Sequence, residues 1–216
     1  MRVDAGLIPV KRLDQAKSRL GLDAPRRRRV ALAMFEDVLD LASGADFLSW
    51  WVVTGDGAAA EIAEKWGVGV LLDAGDGLNA ALASSAAELA RRGARSVSVI
   101  PADVPLASRD DLVDILDTGA TSDVVVVPSA TGEGTNALYV DPPGAIDPRF
   151  GEGSLGAHVR AADERGLRCS ILGLARLEID VDTPEDAARF LDHPGALRTR
   201  AGRVLGEVLR NGPAPD

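Results

Sequence analysis

Residues suited to chemistry gather in a few short segments of this 216-residue chain. Ile8 to Leu20 (IPVKRLDQAKSRL) carries Lys11, Lys17 and Arg19, and the chain has only three lysines in all. An ammonium is a compact point charge suited to phosphate, although a solvated loop with incidental charge accounts for the same residues equally well. Pro101 to Leu106 (PADVPL) sets Asp103 between two prolines that stiffen the backbone. An acid there suits a metal ion that bridges phosphates. As a helix cap it would be badly placed, because Ser108 is the better N-cap before Arg109-Asp110-Asp111. Glu178 to Asp186 (EIDVDTPED) offers Asp180 and Asp182 on one side of a strand. Two carboxylates on one face repel unless a cation joins them. Asp182 capping the next helix is the alternative, and it leaves Asp180 without an explanation.

Glycine-rich segments form a second group. Asp73 to Ala80 (DAGDGLNA) fits G-x-G-x-x-A, but it does not follow the first strand and lacks the acid that holds a dinucleotide's ribose. Gly75 and Gly77 still allow close backbone approach, and Leu78 and Asn79 open a helix whose amides can meet an anion or a base edge. An ordinary strand-to-helix turn explains the same spacing. Gly132 to Leu138 (GEGTNAL) and Phe150 to His158 (FGEGSLGAH) each combine glycines with a hydroxyl residue, Thr135 and Ser154, beside Gly151. Such loops suit a carboxylate or phosphate, and either taken alone also reads as a surface turn. His158 falls inside a helical pattern, where a packed histidine is commoner than a base. The run Arg26 to Arg29 opens another helix and reads as a solvated face, with one member a candidate for nucleotide phosphates.

Composition narrows the classes. Hydrophobic residues are 46% and aromatics 4%, so the core must be built from Ala, Val, Leu and Ile. The net charge of −9 disfavours broad nucleic-acid binding, which needs a basic surface. One cysteine, Cys169, excludes an internal disulfide and a thiolate cage, and two histidines argue against a zinc or iron site. Carboxylates point instead to a hard cation, Mg²⁺ or Mn²⁺. No apolar run is long enough to span a bilayer, and the start lacks a signal-peptide pattern, so a cytoplasmic protein is expected.

The elements that must position these residues alternate. Strands are expected at Ala5–Val10, Phe47–Thr54, Val68–Leu72, Ser96–Pro101 and Asp123–Pro128. Helices are expected from Pro25, over Ala58–Trp66, over Leu78–Arg92 and beyond Ser108, with a short helix before Pro25. The valine-rich strands are continuous rather than alternating, as in a parallel sheet buried on both faces. An α/β three-layer sandwich follows. Between Gly132 and Leu174 the regularity breaks, and an added or antiparallel portion is expected, with a strand at Thr135–Val140, a helix at Ser154–Arg165 and a strand at Arg168–Leu174. A last helix starts at Thr183-Pro184-Glu185. One domain is expected over residues 1–211, with a disordered tail at 212–216.

Six segments in order, IPVKxLxxAKSRL, GLNAAL, PADVPL, GEGTNAL, FGxxSxxxH and DVDTPED, resemble the CofC/FbiD guanylyltransferases of deazaflavin coenzyme F-420 biosynthesis, from Leu7 to about Asp186. The resemblance implies a mostly parallel sheet in a nucleotidyltransferase fold, similar to GT-A and nucleotide-diphospho-sugar transferases. It implies transfer of GMP from GTP to phosphoenolpyruvate or 2-phospho-L-lactate, with Mg²⁺ and release of pyrophosphate. By that resemblance Lys11, Lys17 and Arg19 attend the triphosphate, Gly77, Leu78 and Asn79 lie near the guanosine, and Asp103, Asp180 and Asp182 hold the metal. Lys17 and Asp103 would be catalytic, and Thr135, Gly151 and Ser154 would bind the acceptor. The GxGxR signature of the wider superfamily is missing after the first strand. The arginine- and alanine-rich bias suggests a GC-rich bacterial genome, which tilts the acceptor to phosphoenolpyruvate. Expected partners are GTP and the phosphorylated acid, with homodimerisation as an option, and neither nucleic acid nor membrane. A nucleotidyl- or glycosyltransferase with another acceptor, and a silent nucleotide-binding module, are the competing readings.

Overall fold

The computed structural model describes residues 3–210, so the tail expected at the C-terminus lies outside the described residues. Strands β1 (Val3–Pro9), β2 (Leu48–Thr54), β3 (Gly69–Leu72), β4 (Ala94–Val99), β5 (Val124–Pro128), β6 (Thr135–Val140) and β7 (Cys169–Ile171) form a seven-stranded sheet in the order β3-β2-β1-β4-β6-β5-β7. β1 pairs in parallel with β2 and β4, β2 with β3, and β5 with β7. β6 runs antiparallel to both its neighbours, β4 and β5. The sheet is therefore mostly parallel, and the antiparallel portion expected after Gly132 is β6.

The valine runs are continuous because both faces are covered. In β5, Val125 and Val127 enter one core while Val124 and Val126 enter the other, and Ile8 and Leu7 of β1 divide the same way. Helices α1 (Ala24–Gly44), α2 (Gly57–Lys65) and α4 (Arg109–Gly119) cover the first face through Phe35, Ala59 and Ile115. On the second lie α3 (Leu78–Arg91) and α5 (Ser154–Asp163), through Leu82 and Ala161. A third cluster joins Met34 of α1 to Phe190 of α6 (Pro184–Asp192) and Leu205 of α7 (Arg200–Arg210).

Caps explain most helix starts. Asp23 accepts from the Arg26 N–H ahead of α1, and Ser108 with Asp111, and Thr183 with Asp186, close capping boxes on α4 and α6. Thr183 rather than Asp182 is therefore the α6 cap. α3 has no side-chain cap; Gly77 precedes it at φ 95°, ψ 163°, a conformation open essentially to glycine alone. With glycine at the N-cap the lost side-chain bond costs only about a few tenths of a kcal/mol, which full burial of Leu82 and Leu89 outweighs at about 2 kcal/mol each.

Three expectations need correction. Leu13 to Arg19 is a run of turns rather than a short helix. β7 ends at Ile171, short of Leu174, with Gly173 just beyond it. Residues 178–182 are not a strand: their backbone bonds to loops, Ala130 N–H donating to Glu178 O and Val181 N–H to Asp103 O, instead of joining a ladder. α7 matches no expected element, although its buried Ala201, Leu205 and Val208 have helical spacing.

This topology decides where function gathers. Parallel strands open their carboxyl ends on one side, where ligands of such sheets bind. β6 runs the other way and so begins there, with Thr135 registered against Pro128 at the end of β5. The loops after β1, β3 and β4 and the start of β6 share that end.

Candidate active site

The loop after β1 is anchored by Leu13, whose N–H donates to Asp56 Oδ2 at 2.9 Å. Four residues on, Lys17 adopts φ 58°, in the left-handed region unusual for a residue with a side chain. Its ammonium donates to Asp103 Oδ2 at 2.9 Å and to Asp182 Oδ1 at 2.8 Å. Arg19 reaches the other oxygen of Asp182 at 2.6 Å. The Lys17 side chain is only 7% exposed, against 32% for each aspartate. Burial works against its charge, but attraction to Asp103 and Asp182 outweighs burial and holds the pKa above the ordinary lysine value. Burial likewise opposes the Asp182 charge, and Lys17 and Arg19 overcome it, leaving that carboxyl below its usual range.

Among the described residues Asp180 has no such cation. Burial first, and then repulsion from Asp103, push its pKa up, partly offset by the Asn136 amide that donates to its Oδ1 at 3.1 Å. The three aspartates expected to hold a metal thus come to one end of the sheet, with Lys17 between Asp103 and Asp182. Among the described residues no three metal-ligating side chains are already arranged as a metal-binding group. The donors nevertheless fit a divalent hard cation: all are carboxylate oxygens, and Asp180, which burial and then repulsion from Asp103 hold above its usual range, accepts from no described side chain but the Asn136 amide. Lys11 is exposed in the same loop. Of the arginine run, Arg27 donates to Leu22 O and Arg29 to Glu207, so those two serve the scaffold.

The second half of the site is neutral. Thr135, Gly151 and Ser154 come together because Leu155 N–H donates to Glu133 O at 3.0 Å and Ser154 N–H to Gly151 O at 3.2 Å. Gly151 has φ 132°, open to glycine. His158, one turn along α5 from Ser154, is completely buried. Its Nδ1 lies 3.1 Å from Thr135 Oγ1, and its Nε2 accepts from Arg149 N–H at 2.8 Å. Burial, reinforced by the charge of Arg149, lowers its pKa to about 4.

Asn79 has side-chain partners that its spacing did not disclose. Its amide makes two bonds to the backbone of Phe150, donating to the carbonyl at 3.0 Å and accepting from the N–H at 2.8 Å. The side chain therefore ties the start of α3 to the loop that precedes α5. Asn136 was missed as a positioning group: its amide also donates to Leu177 O at 2.8 Å and so links β6 to the Asp180 segment. Asp56 and Arg149 were missed too. For Asn136 the one available signal was a second polar residue, after Thr135, at the head of β6.

Residues 4–201 match the family described as "Guanylyl transferase CofC like". The chain belongs to that family. A relative named phosphoenolpyruvate guanylyltransferase, from Rubrobacter xylanophilus, is 38% identical over 201 residues, covering 92% of this chain and 98% of its own. Among solved structures, a Desulfovibrio desulfuricans protein assigned to the nucleotide-diphospho-sugar transferases superposes with a TM-score of 0.80 at 17% identity, covering 100% of both chains. A Mycobacterium tuberculosis protein solved with manganese gives 0.57 at 20% identity, covering 88% of this chain and 98% of that one. At such identities the structures speak for the fold, which is the nucleotidyltransferase type expected.

Proposed function

We propose that this CofC-family protein transfers GMP from GTP to phosphoenolpyruvate and releases pyrophosphate. The name of its relative supports the reaction. The observation that carries it here is the adjacency of an ionic cluster, Lys17 with Asp103 and Asp182, to a neutral hydroxyl pocket around Thr135, joined through Asn136 and Asp180.

The acceptor's phosphate is already ionised near neutral pH, so no general base is required. One of its oxygens bonds to the α-phosphorus of GTP as the bond to the β-phosphate's bridging oxygen breaks, and that electron pair leaves with pyrophosphate. Positioning and charge neutralisation then supply the catalysis. Lys17, Lys11 and Arg19 offset charge on the triphosphate and on the departing pyrophosphate. Gly77, Leu78 and the backbone of Asn79 flank the guanosine. Thr135, Gly151 and Ser154 receive the acceptor, and the Asn79 clamp on Phe150 fixes the distance between the two halves. Asp103, with Asp180 and Asp182, would hold a divalent ion, Mg²⁺ in our reading; when bound, it supplies positive charge to the reacting phosphates. Substrates of this kind support reading the protein as cytoplasmic, in the F-420 pathway that its family resemblance implies.

The test is product identity. Incubation with GTP, Mg²⁺ and phosphoenolpyruvate should give a ³¹P spectrum with a new asymmetric phosphoanhydride and one pyrophosphate per turnover. Formation of the anhydride from 2-phospho-L-lactate alone would change the acceptor, and no anhydride from either acid would overturn the reaction.

A further inference from the structure

The acceptor pocket contains a titratable ring that the proposed reaction does not use. Both nitrogens of His158 are engaged, and one partner settles the tautomer. The Arg149 backbone N–H can only donate, so Nε2, 2.8 Å away, carries no proton. Burial and the charge of Arg149 keep the ring neutral down to a pKa of about 4, so its single proton sits on Nδ1. The Ser154 backbone acts in the other direction, favouring the protonated ring, without overcoming burial. At 3.1 Å that N–H donates to Thr135 Oγ1.

The consequence falls on Thr135. A hydroxyl that accepts from His158 keeps its own proton, and among the described residues that O–H has no other recorded partner. With the opposite tautomer the O–H would turn inward to Nδ1, and the pocket would face the ligand with lone pairs alone. That arrangement repels an anion; the observed one attracts it. We propose that His158 is a positioning residue for the acceptor: through its Nδ1–H it aims the Thr135 hydroxyl proton at an anionic oxygen of the substrate. This rests on the reading of Thr135 as an acceptor contact.

Two isosteres separate the ring's ends. An asparagine amide nitrogen reaches the Nδ1 position, while a glutamine reaches Nε2 and leaves Nδ1 vacant. Steady-state pyrophosphate release with phosphoenolpyruvate and GTP should show His158→Gln raising the acceptor KM about tenfold, the worth of one directed hydrogen bond to a charged group, with the GTP KM unchanged. His158→Asn should restore the acceptor KM, and His158→Gln should add nothing in a Thr135→Val background. Equal losses in the two His158 variants, or losses that multiply with Thr135→Val, would overturn the inference. Thr135→Val without effect on the acceptor KM would overturn the acceptor-site reading itself; Thr135→Val effective with His158→Gln silent would overturn this inference alone. The wild-type protein gives an independent check, since its two histidines, His158 and His193, are separable by ¹⁵N NMR. A neutral Nδ1–H tautomer for His158 supports the proposal, and an Nε2–H tautomer or an imidazolium at neutral pH contradicts it.

Discussion

The two halves of the site are held by different physics. On one side Lys17, Arg19, Asp103 and Asp182 are bound by charge, on turns and loops without regular secondary structure. On the other, Thr135, His158, Asn79 and Phe150 are bound by neutral hydrogen bonds between β6, α3, α5 and the loop before it. An ionic cluster can rearrange as charged ligands arrive, because its partners exchange one counter-charge for another. A buried neutral network cannot trade partners so cheaply and so fixes a shape. The first half suits a polyphosphate that enters and leaves; the second suits discrimination of a small acid.

The sharpest way to break this comparison is Asp103→Asn. It removes charge at the centre of the ionic half while keeping the shape, and kcat for pyrophosphate release should fall roughly 100- to 1000-fold with the fold intact. Retained turnover would deny Asp103 its role.

The neutral half is tested next, by pH. His158 is buried with a pKa of about 4 against an ordinary 6.5, so the unfolded chain takes up a proton that the folded one refuses. The stability this contributes is fully present above pH 6.5 and drains away as the pH falls toward 4, by about 1.4 kcal/mol per pH unit within that window. Urea titrations should show the slope in the wild type and not in His158→Asn; identical slopes would mean that the ring takes up its proton in the folded state.

Lys17→Met should cost about 2 kcal/mol in the same titrations, less than for a fully buried pair because its aspartate partners are a third exposed. An unchanged midpoint would show that charge does not hold this half together. The smallest effect belongs to Asn79→Ala, which should raise the acceptor KM about three- to tenfold by releasing Phe150. A larger change in the GTP KM would put that amide on the guanine instead.

The same contrast governs what the sequence discloses. Charged residues announce themselves by type: Lys17, Asp103 and Asp182 were each singled out from the chain, and all three meet. The valine runs disclosed the parallel sheet because burial on both faces leaves few polar positions in a strand, the buried Ser96 and Ser98 of β4 being exceptions. Hydrogen-bond networks are harder, since their meaning lies in partners brought from afar. Asn79 and Phe150 are 71 residues apart, and nothing local says that an amide will clamp a distant peptide. Lys17 between two aspartates was equally invisible, because spacing names the charges but not their pairing. α7 escaped because its buried stripe is short and begins with Ala201 and Gly202, which are weak apolar signals, although Arg203 and Glu207 are exposed off that stripe.

The account's central claim is that both halves serve one transfer. Pyrophosphate release measured with GTP and Mg²⁺, with phosphoenolpyruvate, with 2-phospho-L-lactate and with no acceptor, tests it most directly. Release that requires phosphoenolpyruvate is the expected result. Release that ignores the acceptor, or none with either acid while GTP still binds, would contradict it.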